Sequence, residues 1–304
     1  MNRSQTLSPL FGINVDPSTK NLTEAFKRAR LADENGLDLI TIQDHPYNRN
    51  FLDTWTLLTA LASSTERVHV GTNVINTPLR PPAMLAKMAA TLDILSNGRL
   101  ELGLGAGSYW PGIVAMGNEK RGPGEAVTAF EDFLHIIRGF WENAGGSFTY
   151  EGKVYQVKGV RPGPPPYHPI RIWTGAYGPR MLNLTGRLAD GILVSSTYLQ
   201  PEGLQRSNRL IDEGAEQVDR SPSHIRRGYN LMGVIDLGRS DTRLEDRRPG
   251  QVFGSIDHWV EEIARLYRNY RQDTLIFWPI AGNQLLQVEA FAKEVAPRTR
   301  KLLP

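Results

Sequence analysis

A histidine and an aspartate follow the second predicted strand, in the run Gln43-Asp44-His45-Pro46. The imidazole of histidine is the side chain best suited to move a proton near neutral pH. Asp44 could instead accept backbone hydrogen bonds in a turn that Pro46 stiffens. We interpret His45 as the leading catalytic candidate, and the capped turn stays open as the other interpretation of this run.

Two asparagines, Asn73 and Asn76, lie on or directly after the third predicted strand. Each side-chain amide offers hydrogen-bond donors and an acceptor. They could satisfy backbone groups at the strand end, or they could contact the polar edge of a planar ring. The residue types favour neither interpretation, and both are kept.

Small residues follow the fourth predicted strand, in the run Gly103-Leu104-Gly105-Ala106-Gly107-Ser108. This run resembles a dinucleotide-binding fingerprint, but Ser108 stands at the third glycine position and Pro111-Gly112 predicts that no helix begins there. Because glycine permits a ligand to approach the backbone, Ala106, Gly107 and Ser108 are candidate contacts for a flat ring. The other interpretation is that these small residues fill the narrow interior of a barrel.

A glycine-rich turn after the fifth predicted strand opens directly into a helix, in the run Gly175-Ala176-Tyr177-Gly178-Pro179-Arg180. A proline at the helix start leaves free backbone N–H groups there, and the helix dipole favours an anion. All six residues are therefore candidates for a phosphate-binding cup. Arg180 could add a charge-assisted contact, or it could be an ordinary surface arginine.

Strands and helices alternate along most of the chain. Short apolar runs predict the strands, and apolar residues at helical spacing predict the helices between them. The predicted strands are 10–16, 38–44, 68–75, 100–107, 170–176, 191–197, 225–236 and 274–280. The predicted helices are 21–35, 54–63, 83–95, 126–141, 179–189, 202–218, 257–270 and a terminal helix through residue 291.

Eight strand–helix pairs at this chain length predict an α/β fold, the (β/α)8 TIM barrel. A doubly wound sheet of six strands is the alternative fold. In a barrel of this kind, the residues that carry function lie in the loops after the carboxyl ends of the strands. The candidate residues above all have that position in the sequence.

The alternation is interrupted between the fourth helix and the fifth strand. Residues 145–169 contain two short alternating runs around Glu151-Gly152 and then a proline-rich segment, which predicts a hairpin insertion. The polar segment 237–250 predicts a loop that could close over a ligand. We expect residues 1–304 to form one domain.

Composition excludes several classes of protein. Hydrophobic residues make up 40% of the 304 residues, and Lys plus Arg exceeds Asp plus Glu only by 35 to 32, which argues for a globular protein without a nucleic-acid partner. The absence of cysteine excludes disulfides, thiolate metal sites and a cysteine nucleophile. No apolar segment suits a signal peptide or a membrane span, so we expect a cytoplasmic protein.

The other histidines do not have the spacing of metal ligands. We therefore expect no metal site, and we interpret them as structural or solvated side chains. They are His69, His135, His168, His224 and His258.

Several separated motifs, in order along the chain, resemble those of the bacterial-luciferase-like oxidoreductases, and most closely those of the branch that depends on coenzyme F420. The resemblance runs from about Phe11 to Thr197, with a weaker match beyond. The motifs are Gln43-Asp44-His45-Pro46, Gly71-Thr72-Asn73-Val74, the segment from Asn97 to Gly107, and Gly191 after Leu188-Ala189-Asp190.

This resemblance implies a (β/α)8 barrel that binds FMN or F420, with the ring across the barrel mouth and the phosphate near the loop after the fifth strand. It implies that Asp44 and His45 lie near the ring and that His45 donates or accepts a proton. It also implies a non-prolyl cis peptide bond between Asn73 and Val74 that supports the ring.

The chain departs from that pattern at one position. Sugar-phosphate and alcohol dehydrogenases of the F420 branch carry a glutamate directly after the glycine-rich run, where this chain has Ser108. A second acid for proton transfer is therefore missing there, which argues against a sugar-phosphate substrate.

We expect an F420-dependent oxidoreductase that transfers a hydride between the deazaflavin and a small organic substrate. The alternatives are an FMN-dependent monooxygenase on the same barrel and a flavin-binding protein without catalytic activity. We expect a monomer or a homodimer without a membrane partner.

Overall fold

The computed structural model describes residues 7–238 and 248–304. Its strands are β1 (Leu10–Asn14), β2 (Leu39–Ile42), β3 (His69–Thr72), β4 (Ile75–Asn76), β5 (Leu100–Gly105), β6 (Phe148–Glu151), β7 (Gln156–Val160), β8 (Arg171–Gly175), β9 (Gly191–Ser195), β10 (Arg226–Ile235), β11 (Val252–Gly254) and β12 (Thr274–Pro279). Its helices are α1 (Leu22–Glu34), α2 (Thr54–Ser63), α3 (Pro82–Leu95), α4 (Trp110–Ala115), α5 (Pro123–Glu142), α6 (Pro179–Leu188), α7 (Pro201–Glu216), α8 (Ile256–Tyr270), α9 (Gln284–Ala290) and α10 (Ala296–Leu302).

Eight parallel strands close into a barrel. Around the barrel they follow the order β1, β2, β3, β5, β8, β9, β10 and β12, and β12 pairs again with β1. Helices lie between successive strands, as parallel connections require. The predicted (β/α)8 barrel is confirmed, and the closure rules out the alternative of an open six-stranded sheet.

Large apolar side chains fill the inside of the barrel. Leu39, Trp173, Leu193 and Ile276 form one buried cluster there, from four different strands. A Cβ atom on Gly191 would lie 2.4 Å from the indole ring of Trp173, so glycine at this position makes room for the indole. The barrel is therefore a packed core with space for ligands only at its ends.

The predicted hairpin insertion is confirmed. Strands β6 and β7 pair antiparallel, and a buried carboxylate on α5 holds them against the barrel. Asp132 accepts hydrogen bonds from the Tyr150 hydroxyl at 3.0 Å and from the backbone N–H of Val154 at 2.7 Å. Most of the predicted polar loop, residues 239–247, lies outside the described residues.

Two predictions were wrong in detail. A short helix, α4, does begin at Trp110, because Pro111 falls in its first turn, where the missing N–H of proline costs nothing. The third strand does not run unbroken to Ile75, because the chain turns at Asn73 and Val74 and resumes as β4.

The chain end also differs from its prediction. The terminal helix continues beyond Phe291 through a π-helical turn, Phe291–Val295, into α10. Within the described ranges, no helix is long and apolar enough to cross a membrane.

Candidate active site

The catalytic candidate His45 lies just beyond the carboxyl end of β2 and is half-buried. Its Nδ1 atom lies 2.8 Å from the hydroxyl oxygen of Tyr47. Burial lowers the pKa of His45, and the charge of Asp44 only partly opposes this. Burial raises the pKa of Tyr47, and the charge of Asp44 raises it further. Near neutral pH both rings are therefore uncharged and share one hydrogen bond.

The lowered pKa of His45 gives a direct prediction. The histidine should titrate with a midpoint below the ordinary value of 6.5, because the buried ring resists protonation. The contribution of the neutral His45 ring to the free energy of unfolding is thus fully present above pH 6.5, and it is lost as the pH falls through the folded-state pKa. The measurement is a pH titration of the ring resonances by NMR, with His45→Gln to assign them. A midpoint above 6.5 would contradict this account of the site.

Asp44 is buried directly beside His45, and its carboxylate is occupied. Arg80 donates to it at 2.7 Å and 3.3 Å, and the backbone N–H of Asn76 donates to it at 2.8 Å. Arg80 also binds Asp53, which caps α2. Burial raises the pKa of Asp44 although Arg80 opposes the shift. In this arrangement Asp44 ties the end of β2 to the segment after β3 and so fixes the backbone that carries His45.

Val74 forms a platform at the mouth of the barrel. The Asn73–Val74 peptide bond is cis, as the family resemblance implied. The Val74 side chain packs closely on two glycines, Gly105 and Gly175. A Cβ atom added to Gly105 would lie 2.7 Å from Val74 Cγ2, and one added to Gly175 would lie 2.8 Å from the same atom. Each glycine therefore provides the room that the valine needs to lie across the strand ends of β5 and β8.

The segment Ala106, Gly107 and Ser108 continues this mouth beyond β5. Gly107 has a φ of +89°, and a Cβ atom there would lie 2.9 Å from Pro78 Cγ. A glycine is therefore needed at this turn for both backbone and packing reasons. Ser108 is exposed beside it.

The glycine-rich turn after β8 leads into α6 as predicted. Gly178 caps the helix without a side-chain hydrogen bond, and Pro179 begins it. Across the described ranges, no protein oxygen accepts a hydrogen bond from the backbone N–H of Arg180 or Met181. These free donors at a helix N-terminus suit an anion.

Two side chains flank this turn. The Tyr177 hydroxyl accepts a hydrogen bond from the backbone N–H of Ser195 at 3.2 Å, which ties the turn to β9. Ala176 is buried behind the turn. The exposed Arg180 side chain has no ion-pair partner among the residues that the structure describes, so its charge is available to a ligand.

A chain of amides and hydroxyls crosses the barrel mouth, and sequence reasoning found only one of its members. Asn73 donates to Asn230 at 2.7 Å and to Thr41 at 3.1 Å. Asn230 donates to Ser195 at 3.1 Å, and Thr41 donates to Asn14 at 3.0 Å. Asn73 thus satisfies other side chains rather than the backbone groups considered for it. Asn14 Nδ2 is buried, and no partner for it occurs within the described ranges.

A polar cavity of about 430 Å³ opens at the same end of the barrel. It lies at the carboxyl ends of β1, β2 and β12, which are neighbours in the barrel. The sequence analysis did not identify the charged groups that line this cavity. The lining includes Asp16, Arg28, Gln43, Phe51, Trp278 and Gln284.

All the predicted site residues lie at the carboxyl ends of strands on one side of the barrel, after β2, β3, β5 and β8. The polar cavity adds the ends of β1 and β12 to this set. The described residues contain no group of three or more His, Asp or Glu side chains that could hold a metal ion. The arrangement offers a platform for a planar ring, donors for an anion and one histidine for proton transfer.

Two curated relatives match this chain over much of its length. A 5,10-methylenetetrahydromethanopterin reductase from Methanolobus tindarius is 33% identical over 219 residues, which cover 71% of this chain and 62% of that protein. An F420-dependent glucose-6-phosphate dehydrogenase from Microbacterium testaceum is 31% identical over 342 aligned positions, covering 97% of this chain and 99% of the relative. The chain therefore spans less than two thirds of the first of these proteins and nearly all of the second.

The fold has close structural neighbours. An F420-dependent secondary alcohol dehydrogenase, solved with an F420-acetone adduct, superposes with a TM-score of 0.85 at 16% identity, over 96% of this chain and 99% of that one. The sequence profile of the luciferase-like monooxygenases matches residues 6–270. The resemblance seen in the motifs is confirmed, and the chain belongs to the luciferase-like monooxygenase family.

Proposed function

We propose that this protein is an F420-dependent oxidoreductase that transfers a hydride between the deazaflavin and a small organic substrate. The observation that carries the proposal is the Val74 platform, seated on Gly105 and Gly175 between His45 on one side and the free N–H groups of α6 on the other. Relatives named as F420-dependent dehydrogenases support the same activity and leave the substrate open.

The residues present fit such a cofactor. The platform with Asn73, Ala106, Gly107 and Ser108 would carry the ring at the mouth of the barrel. The turn Gly175-Ala176-Tyr177-Gly178-Pro179-Arg180 would hold the phosphate through backbone donors and the arginine charge. Asp44 would lie near the ring and would hold the backbone of the His45 loop in place.

His45 would hold the proton that accompanies the reaction. We assign the Tyr47 phenol as the donor to His45 Nδ1, which places the remaining ring proton on Nε2. F420, when bound, supplies the hydride chemistry, and the protein supplies orientation and proton transfer. Because the pKa of His45 is lowered by burial, the ring stays neutral near pH 7 and can accept a proton from an alcohol. In the reverse direction the protonated ring would return that proton to the carbonyl oxygen.

Removing the charge of Arg180 should weaken F420 binding without abolishing it. The side chain is exposed, and an exposed ion pair contributes at most about 1 kcal/mol. We therefore expect Arg180→Ala to raise the dissociation constant of F420 by up to about fivefold. Titration at low and at high salt measures this, and the difference from wild type should shrink at high salt. The matched control is Arg209→Ala, an exposed arginine on α7, which should change nothing.

Turnover tests the proposed function. Purified protein is incubated with reduced F420 and a panel of ketones, aldehydes, imines and enones. In a second set it is incubated with oxidised F420 and a panel of alcohols. The deazaflavin absorbance and the dissolved oxygen are followed together in both sets. The proposal predicts substrate-dependent redox change of F420 without oxygen consumption. Oxygenation of a substrate that requires reduced FMN and dissolved oxygen, with none of the F420 reactions, would instead identify a monooxygenase.

Location and assembly remain predictions. A cytoplasmic protein that works as a monomer or homodimer, with a small-molecule substrate as its ligand, fits the proposed activity. Analytical ultracentrifugation of the purified protein distinguishes the two subunit counts.

A further inference from the structure

The polar cavity beside the barrel mouth contains two opposite charges that do not touch. Arg28 of α1 is only 2% exposed, and Asp16 follows β1. Each affects the charge state of the other, yet no contact ion pair between them occurs among the ion pairs of the described residues. A buried guanidinium without a carboxylate in contact is costly unless other acceptors satisfy it.

Neighbouring groups hydrogen-bond to both side chains but leave part of the hydrogen-bonding capacity of each unfilled. Arg28 donates from Nη1 to Gln284 Oε1 at 2.7 Å and from Nε to the backbone oxygen of Glu24 at 3.4 Å. Within the described ranges, Nη2 has no hydrogen-bond acceptor. Asp16 Oδ1 accepts from Gln43 Nε2 at 2.6 Å, and the Trp278 side chain also hydrogen-bonds to the Asp16 carboxylate. A carboxylate accepts about four hydrogen bonds, so Asp16 keeps capacity for a ligand donor.

The charges decide what kind of group the cavity takes. An anion would be attracted by Arg28 and repelled by Asp16, and a cation would meet the reverse. A neutral group with a donor beside an acceptor satisfies both. Burial raises the pKa of Asp16, with Arg28 opposing, which further disfavours an added negative charge. The rings of Trp278 and Phe51 line the same cavity and suit a flat ligand.

The cavity lies next to the proposed chemistry. Gln43, which lines the cavity, comes two residues before His45 in the segment that follows β2. The Thr54 hydroxyl donates a hydrogen bond to the backbone oxygen of Gln43 at 2.6 Å and so holds this segment in place. The volume of about 430 Å³ falls within the ordinary range for small-molecule sites. The cavity and His45 thus share the segment that follows β2.

We propose that this cavity is the substrate subsite and that it recognises a planar amide or lactam, whose N–H donates to Asp16 and whose carbonyl accepts from Arg28. The assignment deepens the proposed function and rests on it, since it names the substrate class of that reaction. Asp16 and Arg28 are specificity residues in this scheme, while His45 remains the proton-transfer residue.

A pair of isosteric ligands tests this assignment without requiring turnover. 2-Quinolone carries a lactam N–H beside its carbonyl, and coumarin replaces that N–H by a ring oxygen that faces Asp16 with a lone pair. Binding of each is measured by ligand-observed NMR, on wild-type protein first and then with F420 present. The expected result is 2-quinolone binding at least about tenfold more tightly than coumarin, with the preference unchanged by F420.

Two variants test whether Asp16 is the residue that distinguishes 2-quinolone from coumarin. Asp16→Leu should reduce 2-quinolone binding to the level of coumarin, and Glu216→Gln, which removes one exposed carboxylate on α7, should not change it. F420 binding by the same samples shows that the variants are folded. Equal binding of the two ligands by wild-type protein, or displacement of 2-quinolone by F420, would overturn the proposal. Loss of F420 binding with lactam preference intact would contradict the proposed function instead.

Discussion

His45→Gln is expected to lower the rate of F420-dependent turnover by about 100- to 10,000-fold, the usual range for removing a general acid or base. Glutamine fills the same half-buried position beside Tyr47 and can hydrogen-bond to it, but it cannot move a proton. Steady-state kinetics under saturating F420 measure the loss. The dissociation constant of F420 should change little, because the proposal assigns proton transfer to the histidine and ring binding to the platform.

The control for this variant is His224→Gln, an exposed histidine in the 3-10 turn before β10, at the end of the barrel opposite the mouth. It should keep wild-type rates. If His45→Gln retained wild-type turnover with a competent substrate, the histidine would have no role in proton transfer, and Tyr47 or the exposed Ser108 would be the next candidates. If it lost F420 binding and turnover together, His45 would act in binding.

Gly175→Ala is expected to weaken F420 binding by about 5- to 150-fold. The added methyl group would lie 2.8 Å from Val74 Cγ2, so the valine must shift and the platform proposed to carry the ring changes shape. Overpacking of this kind costs about 1–3 kcal/mol, which converts to that range in the dissociation constant. Fluorescence titration of F420 measures it, and urea unfolding shows how much of the cost falls on stability.

Gly122→Ala is the matched control, because a Cβ atom there meets nothing within 4 Å. Its F420 affinity should equal that of wild type. Unchanged affinity in Gly175→Ala, with normal stability, would mean that the ring does not lie on Val74. That result would remove the observation on which the cofactor site is built.

The fold was predictable because its signals are local. Apolar periodicity located the eight strands and the helices between them, since each strand–helix unit buries its own apolar face. The misread helix at Trp110 shows the limit of a local rule. Proline was taken as a helix breaker there, although its position in the first turn makes it compatible with a helix start.

The site was predictable only in part. Residues directly after strands, such as His45 and Gly175, could be identified because a parallel barrel brings the ends of its strands together. Their partners could not, because the pairing is tertiary: Asn73 and Asn230 are 157 residues apart in the chain, and Arg80 reaches Asp44 from another loop. Asp16 had a readable signal, since it is an acidic residue at the end of the first predicted strand.

Arg28 had no such signal. It lies on the amphipathic helix α1, where a charged residue is ordinarily solvated. Its burial depends on Gln284 of α9, a helix close to it in space but more than 200 residues away along the chain. Only the assembled barrel shows that this guanidinium lines a cavity together with Asp16 and Gln43.

The most direct test of the central claim is a fluorescence titration of the wild-type protein with oxidised F420 and, separately, with FMN. The account predicts binding of F420 at micromolar concentration or below, and much weaker binding of FMN. Tight binding of FMN together with no detectable binding of F420 would contradict it and would place the chain among the flavin-dependent monooxygenases of its family.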